Sequence, residues 1–135
     1  MATDFIAFTE GENVVLATGL PGTCYFLLST SNVASLTTSS TLGGGVGEIT
    51  GTGYARLSQA APTPSGGQAA FSIMTWNTGA ATNWPNNVKS LILATTVDNT
   101  GKAICAWNLI PGGAARDMSA AGTTESVTPT LTTSS

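Results

Sequence analysis

Val88-Lys89-Ser90-Leu91-Ile92-Leu93-Ala94-Thr95-Thr96-Val97, then Asp98-Asn99-Thr100-Gly101, then Lys102-Ala103-Ile104-Cys105-Ala106-Trp107-Asn108-Leu109-Ile110 is the stretch that decides the fold. Two apolar runs of strand length flank four residues that favour a tight turn, which predicts an antiparallel hairpin. Leu91, Leu93, Ile104, Ala106 and Trp107 are its contribution to a core.

Outward from the hairpin the chain reads as more strands separated by turn signals. Leu20-Pro21-Gly22 is a turn, and residues 24–30 (Cys-Tyr-Phe-Leu-Leu-Ser-Thr) follow as a buried strand. A second strand is expected over 48–58, bulged where Gly51 and Gly53 interrupt it. Residues 69–77 alternate, with Phe71 and Ile73 on one side and Ser72, Met74 and Trp76 on the other. Between these lie a polar loop at 32–41 with room for one helical turn, a glycine-rich connector at 42–47, a proline loop at 61–67 and a turn region at 79–87. Near the N-terminus, Thr9-Glu10-Gly11-Glu12 has the form of a capping box. It would open a short helix over 13–18 that Gly19 and Pro21 stop; the competing reading makes Val14-Val15-Leu16 a strand, and the helix is favoured.

No period of 20 to 50 residues repeats, so solenoids and propellers are excluded. The expected fold is all-β: one domain over 1–135, an antiparallel β-sandwich or barrel. Residues 1–20 would be an arm or short helix, and the Thr/Ser-rich residues 114–135 a final strand (126–131), an extended arm or a disordered tail.

Composition narrows function by exclusion. Among 135 residues there are 4 basic and 7 acidic side chains and no histidine, for a formal charge of −3. Arg56, Lys89, Lys102 and Arg116 are scattered, which argues against nucleic-acid binding. Without histidine there is no His-based triad, His-ligated zinc or histidine pH switch. The 41 % hydrophobic content argues against disorder, and no apolar run approaches the ~20 residues of a membrane span. Residues 1–10 carry no basic residue ahead of a hydrophobic stretch, so no secretory leader is expected. Cys24 and Cys105, each in an apolar segment, read as buried thiols rather than a disulfide.

Motifs for chemistry are missing where composition first hints at them. Gly43-Gly44-Gly45-Val46-Gly47-Glu48 lacks the lysine and Ser/Thr of a phosphate loop, and Gly51-Thr52-Gly53-Tyr54-Ala55-Arg56 lacks the third glycine of a dinucleotide fingerprint. Capping and turn roles account for Glu10, Glu12 and Asp98. No catalytic residue, cofactor or metal is therefore expected. Trp84, beside Pro85 and followed by Asn86-Asn87, is the best candidate for an exposed aromatic, although a tryptophan closing one end of the fold is the more frequent outcome.

From Leu27 to Gly112 the order of features resembles a family of small tailed-bacteriophage virion proteins of the head-decoration or tail-fibre type. The residues that carry the resemblance are a short capped N-terminal segment and the strand Tyr25-Phe26-Leu27-Leu28-Ser29-Thr30. Gly51-Thr52-Gly53-Tyr54-Ala55-Arg56, Phe71, Trp84-Pro85, Val88-Lys89-Ser90-Leu91-Ile92-Leu93 and the turn at Asn99-Thr100-Gly101 follow in order. The Gly-Tyr-Ala-Arg step is its most specific part, and the likeness covers about two-thirds of the chain. The N-terminal segment is less convincingly helical than in that family, and the tail after Arg116 has no counterpart there. The resemblance implies a non-enzymatic virion component and brings no catalytic residues.

The resulting expectation is a capsid decoration or cement protein, made in the host cytoplasm and placed on the capsid surface. Its partners would be the major capsid protein and itself, as a homotrimer. Contacts are expected from Leu42, Gly43, Gly44, Gly45 and Val46, from Trp84, Asn86 and Asn87, and from the draping ends 1–8 and 114–135. The alternative is a tail-fibre module that binds a host-surface glycan through Trp84, Asn86 and Asn87.

Overall fold

The structure, a computed structural model, describes residues 4–43 and 45–132. In chain order its elements are β1 (Phe5–Ala7), α1 (Thr9–Thr18), β2 (Thr23–Ser29), a 3-10 turn at Val33–Ser35, and β3 (Leu57–Ala60). β4 (Gln68–Ala70), β5 (Met74–Asn77), β6 (Ser90–Ala94), β7 (Ala103–Asn108), a second 3-10 turn at Pro111–Gly113, β8 (Thr124–Val127) and β9 (Thr130–Thr132) follow. The fold is all-β with one short helix, every pairing is antiparallel, and the sheets do not close into a barrel.

The hairpin expected from residues 88–110 forms as β6 and β7, with Leu91 opposite Trp107 and Leu93 opposite Cys105. It is the centre of a five-stranded sheet ordered β1-β7-β6-β2-β3. Both faces of this sheet are covered, so all five residues of β6 are buried. Alternation sends Cys24, Phe26, Leu28, Leu91, Leu93 and Cys105 to one face, where Phe71, Met74, Trp76 and Met118 pack over them. Leu27, Ile92 and Ala106 point the other way, under Phe8, Val33, Leu36, Leu42 and Val46. This is why β2 and β6 read as continuous apolar runs rather than alternating ones. Cys24 and Cys105 are buried free thiols, as expected.

The N-terminal segment is helical, as favoured, but its predicted capping box does not form. Phe8 is the N-cap residue and caps without a side-chain hydrogen bond. Glu10 instead reaches across to β7, where Oε1 accepts from the Ala103 N–H at 2.9 Å and Oε2 lies 3.6 Å from Lys102 Nζ. The helix sits so close to β7 that a Cβ at Gly11 would lie 2.2 Å from the Ile104 Cα. Only glycine fits that approach.

Three further expectations are corrected. The strand placed at 48–58 begins only at Leu57; before it, Glu48 makes a single bridge to Ser29 and the chain turns through Gly51, whose carbonyl accepts from the Tyr54 N–H at 3.1 Å. Residues 69–77 are two strands, not one, and Phe71 and Ile73 do not share a face: Phe71 is buried whereas Ile73 is 65 % exposed. The break is enforced from both sides. Pro129 separates the partner strands β8 and β9, and the Gln59 side chain occupies the Ser72 backbone, donating to its carbonyl at 2.6 Å and accepting from its N–H at 3.0 Å. Finally, the described parts of the two ends are not draping arms. Phe5–Ala7 is a sheet strand, Phe8 is fully buried, and 124–132 pairs with β4 and β5. Residues 1–3 and 133–135 lie outside the described residues.

Candidate interaction surface

The glycine-rich connector is anchored at both ends. Leu42 and Val46 are buried in the second core layer, and the Val46 carbonyl accepts from the Ser29 hydroxyl. Between them Gly43 and Gly45 are exposed, with the Gly45 N–H donating to the Thr41 carbonyl at 3.0 Å; Gly44 lies outside the described residues. Two of the predicted contact residues, Leu42 and Val46, are thus corrected to core anchors. What the loop offers a partner is glycine backbone.

Trp84 is corrected in the same way: it is 3 % exposed. Its indole N–H donates to the Thr52 carbonyl at 2.8 Å, and its ring meets Tyr54 edge-on at 5.5 Å. Gly51 lies flat against it, so that a Cβ there would come 2.4 Å from the indole Cδ1. A buried indole with its N–H satisfied behaves as core. Asn86 and Asn87 are exposed, and the Val88 that follows them is buried.

Beside the glycine connector a polar network joins Glu48 and the Tyr54–Arg56 segment to the β6–β7 turn. Arg56 inserts its guanidinium between Glu48 and the β6–β7 turn, with its side chain 4 % exposed. Nε donates to Glu48 Oε2 at 2.9 Å and Nη2 to Glu48 Oε1 at 2.7 Å, a bidentate pair. Nη1 donates to the carbonyls of Thr96 (3.1 Å) and Asp98 (2.6 Å), and Nη2 also donates to Asn99 Oδ1 at 2.6 Å. Every guanidinium donor is therefore used. Tyr54 completes the network: its hydroxyl donates to Glu48 Oε2 at 2.8 Å and accepts from the Leu28 N–H at 3.1 Å. Burial pushes its phenol well above the usual range, so the hydroxyl keeps its proton.

The network floors a shallow groove of about 480 Å³ whose walls are residues 48–51, 54–56 and 97–99. Val97 stands 62 % exposed on its rim. Gly43 lies beside Asn99, so the exposed part of the glycine loop, the groove and the hairpin turn form one side of the molecule. The groove has a cation beneath it that is already saturated by Glu48 and three neighbouring groups, so it offers an anion no free guanidinium donor. Its chemistry is that of hydroxyls, amides, the exposed Val97 and the Asp98 carboxylate. The signal in the sequence was rarity, since Arg56 is one of only 4 basic residues and stands between Ala55 and Leu57.

Among the described residues no group of three or more His, Cys, Asp or Glu side chains could hold a metal ion, and no helix is long and apolar enough to cross a membrane. A scan against protein-family models gives no match, and searches of curated proteins and of solved structures give no significant match.

Proposed function

We propose that this chain is a bacteriophage virion structural protein, a decoration or cement protein that binds the outside of the major capsid shell and stabilises it. The observation that carries the reading is the side of the molecule built on Arg56: a surface of glycine backbone, Asn99, Val97 and the Asp98 carboxylate, held by internal hydrogen bonds in which the cation is already paired. A protein that acts by contact alone needs such a surface. Binding the assembled lattice and not its unfolded or dispersed subunits stabilises the lattice by mass action, by about 2.7 kcal/mol per site when free protein is at 100 times its dissociation constant. Repetition over a shell multiplies small contacts. Two buried free thiols suit a protein made in a reducing cytoplasm. Self-association as a homotrimer at three-fold positions belongs to the same proposal.

The glycan-binding alternative loses its main support, because the aromatic that would stack on a sugar is Trp84 and it is buried. Quantifying the protein per purified particle tests the proposal. A stoichiometry comparable with that of the major capsid protein is expected; a handful of copies confined to the tail overturns it.

A further inference from the structure

The five-stranded sheet ends at β3, and that end is open. The Ala61 N–H donates to the Gly22 carbonyl at 3.1 Å, which marks the residues of this strand that face β2. By alternation Leu57 and Gln59 face β2, opposite Phe26 and Cys24, while Ser58 and Ala60 turn their N–H and C=O groups outward. Those outward groups meet no partner among the described residues.

Edges of this kind are normally guarded by a charge, a proline or a bulge. Leu57-Ser58-Gln59-Ala60 has none of these. The one nearby charge, Arg56, is turned inward and saturated. Alongside the edge runs a groove of about 650 Å³, lined by residues 56–60 on one side and 72–74 on the other. Ile73, 65 % exposed, stands on its rim, and the Gln59 clamp on Ser72 fixes that rim relative to the strand.

We infer that β3 is the contact through which a second copy of this chain adds to the sheet, edge to edge about a two-fold axis. The occupant must be extended, uncharged and able to exchange hydrogen bonds at the spacing of Ser58 and Ala60, and the same strand of another copy meets each requirement. In the antiparallel register that places Gln59 on the axis, Ser58 of one copy exchanges both backbone hydrogen bonds with Ala60 of the other, and Ala60 with Ser58. No like charges face each other there. The contact is isologous, hence closed, and separate from any three-fold assembly. A ladder this short is weak, so pairing depends on concentration and gains where copies are crowded on a surface. It stands on the edge itself and does not require the virion reading.

Sedimentation velocity of the full chain over a wide concentration range, with amide hydrogen exchange, tests it. The wild type is expected to double its assembly mass as concentration rises, from monomer to dimer or from trimer to a pair of trimers, and the Ser58 and Ala60 amides to gain protection in step. Ser58→Pro removes an N–H that no internal ladder uses, and Ile73→Lys puts a charge beside the axis. Each is expected to weaken dimerisation by about tenfold or more. Ile73→Lys, at an exposed site, keeps the test decisive if Ser58→Pro fails to fold. A chain that stays monomeric throughout, or an oligomer that Ile73→Lys leaves unchanged with the Ser58 and Ala60 amides unprotected, overturns the inference.

Discussion

Arg56 ties its own segment and nearby Glu48 to the β6–β7 turn about 40 residues along the chain. Removing one partner of a buried, fully bonded ion pair leaves the other charge without compensation. Because Glu48 stays a quarter exposed and keeps its bond from Tyr54, Arg56→Ala is expected to cost about 1.5–3 kcal/mol, and Tyr54→Phe, which strands the Leu28 N–H, about 1–2 kcal/mol; urea unfolding measures both. A loss below about 0.5 kcal/mol for Arg56→Ala would mean the network is ornamental. The turn that Arg56 grips has its own pH response. The Thr100 hydroxyl and N–H, both donating to Asp98 Oδ1, hold that carboxyl below its ordinary value of 3.8. A depressed carboxyl contributes stability above its unfolded pKa, and the contribution is lost as pH falls through the folded value. The turn is thus expected to loosen only below about pH 4. NMR titration of Asp98 should show Thr100→Val moving its pKa upward, toward 3.8. Ser90 supplies the opposite case to Arg56, since its buried hydroxyl has no partner among the described residues. Ser90→Ala should leave stability unchanged or raise it by up to about 1 kcal/mol in the same unfolding experiment.

Elements were legible in the sequence where their pattern is local. The β6–β7 hairpin, β2 and the helix each follow from residues within a dozen positions of one another. What stayed illegible depends on partners far along the chain. Nothing in Ala69–Asn77 marks a break, because the break comes from Gln59 and Pro129. Nothing around Trp84 says that Tyr54 and Gly51 will enclose it, and nothing near Glu48 says that it will bind Arg56 rather than extend a strand. The candidate surface residues divide for the same reason: Gly43, Gly45, Asn86 and Asn87 are exposed, whereas Leu42, Val46 and Trp84 are claimed by the core. Helix α1 gives this distinction a measurable form. By propensity, Gly11→Ala should stabilise a helix by about 1 kcal/mol. The tertiary contact reverses the sign, because the new methyl would collide with the β7 backbone at Ile104. Gly11→Ala is expected to destabilise by about 2 kcal/mol or more, while Asn13→Ala, exposed on the same helix, is expected to gain a few tenths. Thermal unfolding of the pair checks the prediction, and equal shifts for both would place the helix farther from the sheet.

For the whole molecule, the low charge acquires a meaning that composition alone does not carry. Of the four cations, Arg56 pairs with Glu48, Lys102 with Glu10 and Arg116 with Glu125. Asp4, Asp98 and Asp117 accept hydrogen bonds that fix neighbouring chain, from Gly112, Thr100 and Ser119 respectively. The few charges are thus largely spent on the chain's own turns and loops. Long-range attraction to a partner has little to act through, and salt has little to screen. On the proposed capsid role, a protein that binds a shell in this way should differ from one that binds through basic patches. Its dissociation constant for purified capsids is expected to change by no more than roughly threefold between low and physiological ionic strength. A steep salt dependence would move the contact away from the Arg56 side and onto the surface around Lys89 and Arg116. Gly43→Glu separates the two outcomes, because it adds a charge to the exposed part of the glycine loop without touching a core residue. If that loop meets the shell, this variant weakens capsid binding while the isolated protein keeps its unfolding midpoint.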